Sequence, residues 1–131
     1  DVQNTPYVEY GGPYISPDDL PAMYGQVDVV WVAHYMSRNS LLWNRANRFY
    51  EACFFQKPMF AQVGTQDGQE VKDRGLGICI DLRDIDGTID RILSITEIEI
   101  NQWERNIAHL PAHIYTYTDE HKKLFKFIKG R

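Results

Sequence analysis

The chain has 131 residues, 44% of them hydrophobic, and a formal net charge of −4. This length and composition suit one domain with a buried core and exclude a disordered tail. The acidic balance argues against a nucleic-acid binder, which would carry a basic stripe, so no nucleic-acid partner is expected. The sequence has no apolar run of membrane-spanning length and no signal-peptide pattern at its start, which favours a soluble cytoplasmic protein.

The first predicted elements are a short strand at residues 7–10 and a helix that begins near Ser16. Ser16 is a suitable N-cap and Pro17 suits the first helical position, although Pro21 removes a backbone donor one turn later. One apolar stripe at helical spacing supports this helix and comprises Leu20, Met23, Tyr24 and Val27.

The central elements are a strand at residues 28–33, a helix at residues 46–55 and a strand at residues 59–63. The first of these strands is apolar throughout, as expected for a strand of a parallel sheet that is covered on both faces. Pro58 ends the helix because proline cannot continue it. Residues 34–45 form a loop that leads into this helix.

The later elements are a short helix at residues 68–74 that stops at Gly75, a strand at residues 76–81, and further helices. Asp84 is predicted to cap a helix whose inward stripe is Ile85, Ile89, Ile92 and Leu93.

Two more helices follow. Thr96 and Glu99 form a capping box for the first of them, which Pro111 ends. Thr118 caps a last helix from residue 119 to about residue 129.

This alternation predicts an α/β fold: a Rossmann-like, three-layer α/β/α arrangement around a parallel sheet of about four strands. Residues 1–131 are expected to form one domain, with residues 96–131 as a C-terminal helical extension that packs on it. In such sheets ligands bind beyond the carboxyl ends of the strands.

Glu51 is the main candidate for a binding residue, since it is an acid in an otherwise apolar helical stretch. Asn47 and Arg48 lie four and three residues before it, on the same face. A helix start with free N–H groups, a positive dipole end and a guanidinium favours a phosphate or diphosphate. One turn deeper, a carboxylate can accept hydrogen bonds from the two hydroxyls of a ribose. The simpler alternatives are a solvated Glu51 and a local ion pair between Arg48 and Glu51.

Three histidines are weaker candidates for functional residues. His34 ends a strand at the ligand edge and is a candidate donor to a sugar or phosphate. The spacing of His109 and His113 suits a metal only on a helix, and Pro111 breaks that helix. No metal site and no catalytic residue is therefore predicted.

The segments NRFYEA and QKP, at residues 47–52 and 56–58, resemble the donor-binding half of a GT-B type glycosyltransferase, close to the group 1 or family-four kind. The segments SPDDLPAMYGQVDVVWV, GTQDGQEVKDRGLGICID and DIDGTIDRIL are similar to successive segments of the same family, so the resemblance covers about residues 7–93. The chain departs from the common family motif at Trp43, where that motif has a first glutamate eight residues before Glu51.

The resemblance implies a nucleotide-sugar ligand, a UDP- or GDP-sugar, as donor substrate with no further cofactor. It implies that Glu51 binds the ribose hydroxyls, that Asn47 and Arg48 face the diphosphate, and that Tyr14 and Ile15 lie near the base. It also implies a truncated donor domain that lacks the N-terminal acceptor domain and is inactive alone.

Three functions follow as alternatives. The first is the donor-binding part of a glycosyltransferase that uses a glycan or lipid-linked acceptor in polysaccharide biosynthesis, with peripheral membrane association only in the intact enzyme. The second is the donor half of a GT-B type UDP-sugar isomerase, and the third is a non-catalytic α/β binding module. If an acceptor domain is missing, Phe125, Phe127 and part of the first strand should expose apolar surface and promote self-association.

Overall fold

A computed structural model describes residues 5–34, 45–117 and 120–130. Residues 35–44 of the predicted loop at residues 34–45, which include Trp43, and the predicted cap at Thr118 lie outside the described residues. The described elements, in chain order, are α1 Leu20–Gly25, β1 Val30–Trp31, α2 Asn47–Phe54, β2 Met59–Gln62, α3 Gln66–Arg74, β3 Gly77–Ile80, α4 Ile85–Leu93, α5 Glu97–Ala108, a 3-10 turn at Ala112–Ile114, and α6 Glu120–Lys129.

The three strands form one parallel sheet in the order β1-β2-β3. The predicted α/β class is confirmed, but within the described residues the sheet has three strands rather than about four. The predicted strand at residues 7–10 is wrong. Tyr7 has a left-handed backbone with φ 63°, and the segment begins with a turn in which the Val8 N–H donates to the Thr5 carbonyl.

The core lies on both faces of the sheet. Successive residues of β2 belong to different clusters, since Met59 contributes to one and Phe60 packs against the other. This division follows from the alternation of side chains along a strand. The first cluster also includes residues of α1, α2 and α3 together with Ile107 of α5. The second includes Trp103 of α5, and Ile92 of α4 packs against it. Helices therefore cover both faces, in agreement with the predicted layers.

The predicted start of α1 is too early in the sequence. The helix begins at Leu20 rather than at Pro17, and Asp19 is its N-cap residue. Pro21 lies in the first turn, where its missing N–H removes no intrahelical hydrogen bond. Pro21 conflicts with a helix that starts at Pro17, but it suits the observed start at Leu20.

The predicted stripe of α4 is also largely wrong. Asp84 caps the helix as expected, accepting a hydrogen bond from the Gly87 N–H. However, Ile85, Ile89 and Leu93 are exposed, whereas Thr88 is the buried residue of α4. The Thr88 hydroxyl donates to the Asp81 carbonyl at 3.0 Å, which turns this face of the helix toward the end of β3.

Helix α5 has the predicted capping box of Thr96 and Glu99. Its Trp103 and Ile107 are buried, and its Asn106 side chain donates to the Gly75 carbonyl at 2.8 Å, so α5 is fixed against the end of α3. Among the described helices, none combines the length and apolar character needed to cross a bilayer.

Candidate functional site

A cleft of about 350 Å³ opens between α1, the end of β1 and α2. Clefts of this size are typical of small-molecule sites. Its walls are mostly apolar and come from α1 and residues 29–31. Tyr14, Arg48 and Glu51 add polar groups to the same cleft.

Helix α2 supplies Glu51 and Arg48 to this cleft because its two faces differ. Phe49, Ala52 and Cys53 point into the core, and the opposite face carries the polar residues. Helical spacing therefore places Arg48 and Glu51 on adjacent turns of the face that borders the cleft. Ala46 is the N-cap residue and makes no side-chain cap.

The Glu51 carboxylate is held by Tyr24. The Tyr24 hydroxyl donates to Glu51 Oε2 at 2.6 Å. Tyr24 is 7% exposed, and its ring stacks on Phe55 with centroids 4.7 Å apart and planes at 15°. Among the residues that the structure describes, Glu51 Oε1 has no hydrogen-bond partner, and Glu51 borders the cleft.

Burial raises the pKa of the Tyr24 hydroxyl well above its usual range, and the hydrogen bond to Glu51 raises it further. A phenolate beside a carboxylate would place two negative charges together in a partly desolvated cleft. Tyr24 is therefore a proton donor to Glu51 over the whole physiological pH range.

Arg48 lies at the carboxyl end of β1. Its Nη1 donates to the Trp31 carbonyl at 3.0 Å, and the side chain is otherwise exposed to the cleft. The ion pairs of the described residues do not include one between Arg48 and Glu51. The Arg48 guanidinium therefore points to the end of β1, and its other N–H groups can still donate to an anion.

The start of α2 is tied to α3 by charged groups. Arg45 Nε lies 3.1 Å from Asp67 Oδ1, and Arg45 Nη2 lies 3.2 Å from Glu70 Oε1. The guanidinium also sits 4.5 Å above the Phe49 ring. The Ala46 N–H donates to Asp67 Oδ2 at 3.1 Å. One N–H group at the start of α2 therefore already donates to a carboxylate. It is not free to bind the phosphate expected there.

The Asp67 side chain is 5% exposed. Burial raises the pKa of its carboxyl, whereas the hydrogen bond from Ala46 and the charge of Arg45 oppose that rise. These contacts favour the charged form of the Asp67 carboxyl at the helix start.

The structure brings together three of the six predicted binding residues, namely Tyr14, Arg48 and Glu51. The other three are not among the residues that line the cleft. Asn47 is exposed at the first position of α2. Ile15 is exposed and its N–H donates to Asp19 Oδ2 at 2.7 Å. His34 has its Nδ1 3.0 Å from the Val32 carbonyl.

Sequence reasoning missed the contribution of Tyr24, which it assigned to an apolar stripe. The sequence did contain an indication of this role. A tyrosine in an apolar stripe is expected to be buried, and a buried tyrosine usually finds a hydrogen-bond partner for its hydroxyl. Trp31 was also missed. The apolar pattern predicts a strand residue covered on both faces, but Trp31 is 43% exposed and lines the cleft.

Comparison with known proteins gives one similarity. A segment of 86 residues, 65% of this chain, is 28% identical to the succinoglycan biosynthesis protein ExoL of Rhizobium meliloti (strain 1021). The matched segment spans 21% of the length of that protein, about a fifth of it. No family profile and no solved structure matches the chain.

Proposed function

We propose that this chain is the nucleotide-sugar-binding part of a glycosyltransferase of polysaccharide biosynthesis, with the organisation of a GT-B donor domain. The observation that carries the proposal is the convergence of Tyr14, Arg48 and Glu51 on one cleft. The similarity to a succinoglycan biosynthesis protein supports the polysaccharide context. The ligand is a UDP- or GDP-sugar.

Each of the three residues has a role that its chemistry supports. The Glu51 carboxylate accepts hydrogen bonds from the ribose hydroxyls, for which Oε1 is available. The Arg48 guanidinium binds the diphosphate. The exposed ring of Tyr14 offers a face on which the base stacks.

The charge around α2 favours the Arg48 side of the helix for the diphosphate. On the other side, Arg45 already faces the two carboxylates of Asp67 and Glu70. A diphosphate placed there would have to compete with these carboxylates for the Arg45 guanidinium. On the cleft side, the hydrogen bond that Arg48 makes within the described residues is to the uncharged Trp31 carbonyl. The N–H groups of Asn47 and Arg48 lie in the first turn of α2, where helix amides have no intrahelical partner.

On this proposal the chain binds the donor, and transfer to a glycan or lipid-linked acceptor needs an acceptor-binding domain outside these 131 residues. The isomerase alternative shares the same donor site, and no observation favours it. In the intact transferase, the charges that hold the diphosphate would also stabilise it as a leaving group.

The test is a titration of the ¹⁵N-labelled chain with UDP, GDP and ADP, followed by amide chemical shifts. We expect one or two of these nucleotides to shift the amides around Tyr24, Trp31 and Glu51. Glu51→Gln should weaken the response about tenfold or more. Glu97→Gln, on the exposed first turn of α5, is the matched control and should bind as the unaltered chain does. Indifference to all three nucleotides would contradict the proposal.

A further inference from the structure

Glu51 needs a fixed orientation to discriminate between ligands, and a hydrogen bond from Tyr24 provides that orientation. A glutamate on a helix surface has three rotatable bonds and loses substantial rotamer entropy when it binds. In this cleft one carboxylate oxygen is already bonded to a buried hydroxyl. That hydroxyl comes from α1, 27 residues away along the chain.

The Tyr24 ring that carries the hydroxyl is itself immobilised. It is buried in the first core cluster and stacked on Phe55 at 4.7 Å. The donor therefore has a fixed position relative to α2 before any ligand arrives. The 2.6 Å distance to Oε2 is at the short end of the usual range, as is typical of a hydroxyl that donates to a carboxylate.

We propose that Tyr24 is a positioning residue of the nucleotide-sugar site: its hydroxyl holds Glu51 Oε2 so that Oε1 remains as the oxygen that recognises ligand hydroxyls. This inference rests on the proposed function. It assigns the selectivity for a ribose over a deoxyribose to a residue whose hydroxyl is already hydrogen-bonded to Glu51. A purely structural hydroxyl would instead affect both ligands alike.

The variant Tyr24→Phe removes only the hydroxyl and keeps the ring that stacks on Phe55. If UDP binds, the variant should bind it about tenfold more weakly than the unaltered chain and should bind 2′-deoxy-UDP with nearly unchanged affinity. The ribose preference would fall accordingly. Equal loss of affinity for both nucleotides, or no loss for either, would overturn the inference.

A second measurement needs no ligand. Side-chain scalar couplings of Glu51 should report one dominant rotamer in the unaltered chain and averaged rotamers in Tyr24→Phe. Tyr10→Phe is the control, since Tyr10 is exposed and outside the cleft, and it should leave these couplings unchanged. Glu51 couplings that stay those of a single rotamer in Tyr24→Phe would overturn the inference.

The two proposals fail in different ways. If no nucleotide binds but Glu51 loses its fixed rotamer in Tyr24→Phe, the positioning role stands and the proposed ligand is wrong. If nucleotides bind and Tyr24→Phe changes neither the couplings nor the ribose preference, the ligand is right and the positioning role is wrong.

Discussion

Arg45 and Asp67 form an ion pair, Nε to Oδ1 at 3.1 Å, between the start of α2 and the first turn of α3. Both side chains are largely buried, at 13% and 5% exposed. Removal of one partner from a buried pair leaves an uncompensated charge. The pair therefore fixes the orientation of α2, and with it the two cleft residues that α2 carries.

Arg45→Met should destabilise the fold by about 3 kcal/mol, because it strands the Asp67 carboxylate in the interior. The effect should depend on pH. Burial already raises the pKa of Asp67 above the value of about 3.9 for an unfolded aspartate, and loss of Arg45 raises it further. Ionisation of Asp67 therefore costs stability as the pH rises above about 4 and through the folded-state pKa.

Thermal unfolding of Arg45→Met at pH 5 and at pH 8 measures this effect, and the loss should be larger at pH 8. The double variant Arg45→Met/Asp67→Asn removes both charges and is the control. It should regain part of the stability and lose the added pH dependence. A single variant whose stability loss is the same at both pH values would contradict the role given to Asp67.

Tyr24 should titrate at lower pH in Glu51→Gln, because the carboxylate is one cause of its raised pKa and burial is the larger one. The shift should be downward but incomplete, since burial remains. Ultraviolet absorbance of the phenolate between pH 9 and pH 13 measures it, and Tyr24→Phe identifies the contribution of this residue.

The raised pKa of Tyr24 also predicts alkaline sensitivity. An unfolded tyrosine ionises near pH 10, whereas folded Tyr24 retains its proton at that pH. The stability contribution of the protonated hydroxyl is fully present below about pH 10 and is lost as the pH rises through the folded-state pKa. Tyr24→Phe should lose stability less steeply than the unaltered chain above pH 10.

Arg48→Ala should weaken the binding of UDP or GDP about tenfold and should scarcely affect the corresponding nucleoside, which lacks the diphosphate. Isothermal titration calorimetry with nucleotide and nucleoside separates the two. Arg105→Ala, an exposed arginine of α5, is the matched control for the loss of a positive charge. Equal weakening of nucleoside and nucleotide would argue against a phosphate contact.

Gly77→Ala should prevent close pairing of β2 and β3. Gly77 has φ +153°, and a Cβ there would lie 1.9 Å from the Met59 carbonyl oxygen. We expect a loss of more than about 3 kcal/mol, measured by denaturant unfolding. Gly25→Ala is the control, because a Cβ at that position meets nothing within 4 Å. A Gly77→Ala variant as stable as Gly25→Ala would contradict the observed register.

Self-association of the isolated chain remains a prediction. Phe125 and Phe127 are 59% and 62% exposed on α6, and Tyr10 near the chain start is exposed as well. Exposed apolar surface of this kind favours association. Sedimentation velocity at increasing concentration should show larger species, and Phe125→Ser should reduce them relative to Lys126→Ser on the same helix. A chain that stays monomeric throughout would contradict the prediction.

The local sequence determined most elements of the fold. Helix α2, the Gly75 stop of α3 and the Thr96 capping box were predicted with nearly the observed bounds. These features depend on residues within one or two turns of each other, so periodicity and capping rules capture them. The same rules placed Arg48 and Glu51 on one face, since helical spacing is a local property.

Tertiary contacts decided the rest. The local pattern predicts that Ile85 and Leu93 face inward. Hydrogen bonds between Thr88 and Asp81 instead bury the Thr88 face of α4 and leave Ile85 and Leu93 exposed. The same limit applies to Tyr24 and Glu51, which are 27 residues apart, and their contact exists only because the folded chain brings Tyr24 of α1 against α2. Sequence alone thus determined that an acid lies on the polar face of α2, and only the folded chain decided which oxygen of that acid remains free, because that depends on a donor from another helix.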